Sequence, residues 1–366
     1  MDRFDSFDDL SQLHAIETQQ EVNDVPEEQW LLESYMKTVF TGEWIHVQIR
    51  IESKSLTITS IGQELEILEK LNTRKIKNST IVKDAEKIGN YNPPSSKQPS
   101  PIILIDYVDK SVYLMPDGGL GDCNNIKSWI DEGQYAQCTL LDQQLTKEDI
   151  PVILDKCLKF ITSQGCLTTG IYRIAGVNRR IEQLLEDFRR NAWDVDLNSS
   201  QYTEHDVANV IKRFFRTLND PLLTQDLRSL WVAATVVEDE QHKLNMYRNL
   251  LADLPELNYK TLRRLIVHLR NISEQNEHNK MPASNLAALW GPTILNVDGM
   301  PSLNFNEVAV EVGIISCLME HFYSLFEINE EEIQQEKDRL QILREDLEGI
   351  SRKFTGNADI KVMTIS

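Results

Sequence analysis

The sequence predicts a multidomain protein in which a small β-rich unit precedes an all-α helical bundle. Two changes of pattern carry that prediction. Between about residues 30 and 132 apolar residues alternate with polar ones, and between about 138 and 330 they recur at helical spacing. The length agrees, because 366 residues exceed what one core usually organises. The expected division is an acidic tail over 1–27, the β-rich unit over 28–135, the helical bundle over 138–330, and a charged helix with a C-terminal tail over 331–366.

Residues 1–27 are acidic and too poor in apolar side chains to order themselves by burial. Phe4, Phe7, Leu10 and Leu13 recur every three residues there, so a short partner-binding helix is the second reading. In the next unit Val47, Ile49 and Ile51 alternate with polar neighbours, followed by Leu56 and Ile58, then by apolar runs at 102–105 and 112–114. These predict strands. Asn92-Pro93-Pro94-Ser95-Ser96 predicts a loop over 91–101. Gly118-Gly119-Leu120-Gly121 is read as a hairpin turn, since no Gly-Lys-Ser/Thr follows to make a phosphate loop. A single helix over 124–131, carrying Trp129, closes the unit.

The helical half opens with a stripe of Ile150, Ile153, Leu154, Cys157, Leu158 and Ile161, ended by Gly165 as a C′ residue. Further stripes follow at Ile181, Leu184, Leu185 and Phe188, and at Val207, Val210, Ile211, Phe214, Phe215 and Leu218. Leu262, Leu265, Ile266 and Leu269 make another, and Val308, Val312, Ile315, Leu318, Met319 and Phe322 a last long one. Little strand pattern intervenes, so this half should be a bundle with its own core. Beyond Phe326, Ile333, Leu340, Leu343, Leu347 and Ile350 keep heptad spacing for too short a run to favour a coiled coil over a solvated helix.

Composition excludes several classes. A net charge of −19 argues against a nucleic-acid partner, which needs a basic face. The five cysteines, Cys123, Cys138, Cys157, Cys166 and Cys317, are odd in number and contain no Cys-x-x-Cys pair, so neither a disulfide framework nor a structural metal is expected. No apolar run approaches the roughly 18 residues of a membrane span, and the acidic N-terminus lacks the features of a secretory signal. The chain is therefore expected in the cytoplasm. Against this acidic background Arg173, Arg179, Arg180, Arg189 and Arg190 crowd one stretch, followed by Lys212, Arg213 and Arg216. A local cationic face on an acidic protein points to one specific anionic partner.

The stretch 165–176 reads Gly-Cys-Leu-Thr-Thr-Gly-Ile-Tyr-Arg-Ile-Ala-Gly between predicted helices. Its glycines make a loop that presents Arg173, with Ile171, Tyr172 and Ile174 as packing anchors. Taken bare, a loop arginine is a solvated charge. Gly170-Ile171-Tyr172-Arg173-Ile174-Ala175-Gly176, however, resembles the Gly-Ile-(Phe/Tyr)-Arg-x-x-Gly signature of the Rho GTPase-activating domain. Residues 205–223 are similar to that family's second helix and its Pro-Leu turn, 279–295 to its third block, and Asp149-Ile150-Pro151-Val152 fits its opening. The block is most similar to that of the dual Arf/Rho activators. The chain holds no Cys-x-x-Cys zinc module, so Arf activation is not expected of it.

The resemblance implies an arginine finger supplied in trans by Arg173 to a GTP-bound Rho-, Rac- or Cdc42-type GTPase. The nucleotide, the attacking water and the Mg²⁺ would all belong to the partner, so no cofactor or metal of this chain's own is implied, nor any independent turnover. Lys212 and Arg216 lie four apart on one helical face. By resemblance Lys212 contacts the GTPase, Arg216 steadies the finger loop and the interface, and Asn285 helps hold the finger or the partner's switch region. Their bare readings are a solvated helix surface for the pair and a capping or bridging amide for Asn285. Thr293 stands where many family members place asparagine, and Asn219-Asp220 replaces the usual Pro-Glu. The competing reading is a non-catalytic scaffold that binds a Rho GTPase, and the presence of Arg173 argues for activity. The preceding unit is similar in pattern to a pleckstrin-homology domain. Gln48 stands where a second cation would complete the phosphoinositide pattern of Lys37 and Arg50, so lipid binding is expected to be weak and membrane recruitment to come from partners.

Overall fold

The computed structural model of the chain describes residues 30–38, 43–52, 54–62, 66–83, 101–136, 138–296 and 305–326. The expected N-terminal tail, most of the loop over 91–101 and the charged C-terminal helix lie outside these residues.

The β unit is a seven-stranded antiparallel sheet in the order β4-β3-β2-β1-β7-β6-β5. Its strands are β1 Trp30–Thr38, β2 Ile45–Glu52, β3 Ser55–Ser60, β4 Ile67–Asn72, β5 Ile76–Val82, β6 Ile102–Tyr107 and β7 Ser111–Pro116. Alternation dictates the faces: Val47, Ile49, Ile51, Leu56, Ile58, Ile103, Ile105, Val112 and Leu114 point inward and are fully or almost fully buried. The two edge strands, β4 and β5, are joined by one short 3₁₀ turn, Thr73–Lys75. A flat sheet of this width would separate its edges by about 29 Å, more than such a link can span. The sheet therefore curls into a half-barrel, consistent with a PH-like fold. Helix α1, Leu120–Gln134, closes it by inserting Cys123, Ile126 and Ile130, with Trp129 partly buried against the same core.

This helix starts earlier than the sequence suggests, and Gly118-Gly119 is a strand-to-helix turn instead of a hairpin. Gly119 takes φ +63°, and the Asp122 carboxylate accepts from the Gly118 N–H at 3.0 Å. Leu120 and Gly121 are thus inside the first turn.

The bundle comprises α2 Val152–Phe160, α3 Asn178–Asn191, α4 Glu204–Arg216, α5 Arg228–Thr235, α6 Glu240–Asp253, α7 Glu256–Glu274, the short α8 Asn276–Asn279, α9 Ala283–Leu295, α10 Phe305–Glu320 and the short α11 Phe322–Leu325. Gly165 does not cap α2. The helix widens into a π-turn over Ile161–Gly165, which carries the chain directly to the arginine loop. The predicted stripes supply most of the core, one cluster holding Val207, Val210, Ile211 and Phe215 of α4, Trp290 and Ile294 of α9 and Leu262, Leu265, Ile266 and Leu269 of α7. In the last stripe, however, Val308 is exposed and Phe322 belongs to α11, not to the long helix. Each such side chain contributes about 1.5–3 kcal/mol by leaving water.

The two units touch along the 3₁₀ turn. The Leu145 N–H donates to the Arg74 carbonyl at 2.8 Å and the Arg74 guanidinium to the Leu141 carbonyl at 2.9 Å. Lys54 pairs with Asp142. Asp149, held at φ +60°, accepts from Lys75 at 2.6 Å and from Lys260 of α7 at 3.1 Å, so one carboxylate bridges the sheet unit and the bundle. No helix among the described residues is long and apolar enough to cross a membrane.

Candidate functional site

The site is built on the loop between the π-turn and α3. Two residues there take left-handed backbone, Gly170 at φ +71° and Tyr172 at φ +67°. Glycine does this freely, whereas an aromatic residue is strained by about 1–2 kcal/mol. The bend persists because its backbone is fixed on both sides of Arg173. Asn279, fully buried, donates through Nδ2 to the Cys166 carbonyl at 2.9 Å and to the Ile272 carbonyl at 2.8 Å. Its own carbonyl receives the Gly170 N–H at 2.7 Å. The Lys212 ammonium donates to the Tyr172 carbonyl, and Asn209 Nδ2 to the Ile174 carbonyl at 3.0 Å.

The loop's exit is held by Asp206 in the first turn of α4. This carboxylate is fully buried and accepts from the Val177 N–H at 2.7 Å, from the Thr203 N–H at 3.0 Å and from Arg180 at 3.3 Å. The Asp206 N–H in turn donates to Thr203 Oγ1 at 3.2 Å, completing a capping box. Burial alone would raise the Asp206 carboxyl. The hydrogen bonds from Val177, Thr203 and Arg180 outweigh it and hold the group below its ordinary range. Gly176 has no room for a side chain, since an added Cβ would sit 2.6 Å from Asp206 Oδ1 and 2.7 Å from its Cα.

Tyr172 anchors the apex from below. Its ring is fully buried, meets Trp290 edge-on at 5.1 Å, and its hydroxyl lies 2.6 Å from His268 Nε2. What emerges from this frame is Arg173, exposed and without a polar partner for its guanidinium among the described residues. Leu167, Ile174 and Val177, exposed at 41%, 43% and 51%, flank it with apolar surface.

Of the other sequence-predicted site residues, Lys212 joins the loop directly. Burial first, then repulsion from Arg216, pushes its ammonium down to about 8. Arg216 is exposed one turn further along α4, while Arg213 turns aside to Glu182 at 3.4 Å. Asn285 is exposed in the first turn of α9, and its backbone N–H bonds the Pro282 carbonyl at 3.0 Å. Thr293 is buried and bonds back to the Leu289 carbonyl at 2.8 Å. Asp220 accepts from the Gln225 N–H at 2.9 Å, as a turn residue does. The structural residues Asn279, Asp206 and His268 were not singled out from the sequence. Only Asp206 carried a signal there, in the Thr203-x-x-Asp206 spacing of a capping box.

The Arg216 contribution to Lys212 is separable. In Arg216→Ala the Lys212 amine is expected to titrate above about 8, part of the way back toward its ordinary value near 10.4. Lysine-resolved NMR titration measures this, and an unchanged midpoint would show that burial alone sets it.

Residues 151–298 match the family model described as the RhoGAP domain. Over 300 residues the chain is 29% identical to the Arf-GAP with Rho-GAP domain, ANK repeat and PH domain-containing protein 2 of Mus musculus, covering 80% of this chain and 16% of that protein. It is 33% identical over 196 residues to protein 3 of the same description from Homo sapiens, covering 54% and 12%. It is 36% identical over 147 residues to Rho GTPase-activating protein 21 of Xenopus tropicalis, covering 40% and 8%. The chain thus spans less than a fifth of the length of these relatives.

Proposed function

Because residues 151–298 match the RhoGAP domain model, we propose that this chain stimulates GTP hydrolysis by a Rho-family small GTPase, with Arg173 as the arginine finger. The observation that carries this is the contrast within one loop. The backbone around Arg173 is hydrogen-bonded to α4 and to Asn279, yet its guanidinium is left exposed. An arginine held this way enters a partner's site without reorganising its own surroundings.

The chemistry gives that arrangement its use. As water attacks the γ-phosphate, negative charge moves onto the β–γ bridge and the phosphoryl oxygens. A guanidinium stays charged at cellular pH and its planar fork bonds two oxygens at once. Lys212 orients the finger loop through the Tyr172 carbonyl, and Arg216, Asn285 and the apolar rim of Leu167, Ile174 and Val177 face the partner. The β unit serves as a protein-contact module in preference to a phosphoinositide reader. Lys54, Lys75 and Lys110 are already committed to Asp142, Asp149 and Glu69.

The test is phosphate release from purified Rho, Rac and Cdc42, each GTP-loaded and mixed with the full chain in single turnover. Acceleration of at least one of them is expected. Binding to the GTP form of one or more of them with acceleration of none would replace this reading by that of a scaffold.

A further inference from the structure

We propose that His268 is a positioning residue for Arg173, acting through the hydroxyl of Tyr172. The proposal rests on the reading of Arg173 as the finger and adds to it the device that fixes the finger's direction.

Anchoring the loop by burial alone would need only an apolar ring at position 172. Here three polar groups are brought together beneath it. His268, 3% exposed on α7, has its Nε2 at 2.6 Å from the Tyr172 hydroxyl and its Nδ1 at 3.3 Å from the Thr162 hydroxyl. Thr162 belongs to the π-turn that leads into the loop. Burial, then the nearby Arg264, pushes the imidazole down to about 3, so the ring is neutral and offers one donor and one acceptor. Both neighbours are hydroxyls able to serve either role, so the ring's one donor and one acceptor are each matched.

A buried hydrogen bond is directional where apolar packing is not. It fixes how deeply the Tyr172 ring sits and how it is turned against Trp290 and His268, whose rings it meets at 71° and 87°. Ring position in turn holds the left-handed backbone at residue 172, and the next residue is Arg173. Without the bond Tyr172 can relax toward the ordinary φ < 0 region, which re-aims the finger although its backbone bonds to Lys212 and Asn209 remain available. The effect belongs to geometry at the reacting centre, where a displacement near 1 Å lowers rates by about 100-fold.

The full chain is compared with Tyr172→Phe, His268→Gln and the double variant, using whichever GTPase responds in the phosphate-release panel. At saturating activator, Tyr172→Phe and His268→Gln are each expected to slow hydrolysis about 10- to 100-fold. Affinity for the GTPase bound to a non-hydrolysable nucleotide should stay near that of the unaltered chain. The double variant should be no slower than the worse single one, because both act on the same contact: Phe deletes it, and Gln can remake it only with altered geometry. His268→Gln, which keeps a hydrogen-bonding group, should retain more activity than His268→Leu. In the isolated chain the ¹⁵N shifts of the His268 ring should move on Tyr172→Phe.

Wild-type saturating rates in Tyr172→Phe and His268→Gln would overturn the proposal, as would additive losses in the double variant or a fall in affinity that accounts for the rate. If Arg173→Ala silences stimulation while the Tyr172 and His268 variants do not, the positioning role alone is lost. If the unaltered chain stimulates no GTPase, the finger reading fails and this one falls with it.

Discussion

Arg173→Ala is expected to remove most of the stimulated hydrolysis while leaving both the fold and the encounter with a GTP-loaded partner largely intact. In Ras-type GTPases an arginine supplied in trans accelerates hydrolysis by about 10³ to 10⁵, which at the upper end corresponds to about 7 kcal/mol. A loss on that scale should appear in the single-turnover rate at saturation, because the charge Arg173 meets develops only in the transition state. The melting temperature should not change, since the guanidinium makes no hydrogen bond or ion pair within the described residues. Arg173→Lys keeps a charge but not the planar fork, so little activity should return. A variant that retained the wild-type stimulated rate would remove Arg173 from the mechanism. Lys212→Ala should behave differently from a loss of docking charge alone. Part of its hydrogen-bonding capacity is directed inward to the Tyr172 carbonyl, so both affinity and saturating rate should fall.

The elements that were legible in the sequence are those whose burial is one-sided. Strands β2 and β3 alternate because one face of each enters the half-barrel core, whereas β6 and β7 show as apolar runs in which neighbours such as Ile102 and Ile103, or Leu114 and Met115, are buried together. Strands β4 and β5 form the edges and mix exposed Ile67 with half-buried Leu68, Ile81 and Val82, which erases the period. Helix α5 is obscured in a similar way, since Leu230 and Val232 are exposed while Trp231 and Ala234 are buried. The arginine loop was readable from its glycines and Arg173, but its supports were not. Asn279 reaches Cys166 across 113 residues, His268 reaches Tyr172 across 96, and Asp206 reaches Val177 across 29. Such contacts leave no local periodicity. Lys212 illustrates the same limit: helical spacing placed it on a face with Arg216, and only the tertiary fold brings it to the carbonyl beside the finger.

Asp206→Ala is expected to be among the most destabilising single changes in the bundle, and to act on the site through the fold. The carboxylate accepts from two backbone N–H groups that lie in different segments, Val177 at the loop exit and Thr203 before α4. Removing it deletes half of a capping box, typically about 1 kcal/mol, and leaves two part-buried N–H donors without their acceptor, at about 1–3 kcal/mol together. A combined loss of about 2–4 kcal/mol follows, or roughly 4–16 °C in melting temperature for a unit of this size. Gly176→Ala should damage the same junction from the opposite side, because its Cβ would enter the space held by Asp206. The pH dependence gives an independent readout with a defined sign. Hydrogen bonds hold the folded-state pKa of Asp206 below its ordinary value in spite of burial. Its contribution is therefore fully present above the unfolded-state value near 3.9 and is lost as pH falls through the lower folded-state value. The stability difference between wild type and Asp206→Ala, followed by thermal unfolding at decreasing pH, should be constant at neutral pH and shrink below about pH 4. A difference that persisted undiminished through that range would mean that Asp206 contributes by packing, and that its charge has no part in tying the arginine loop to α4.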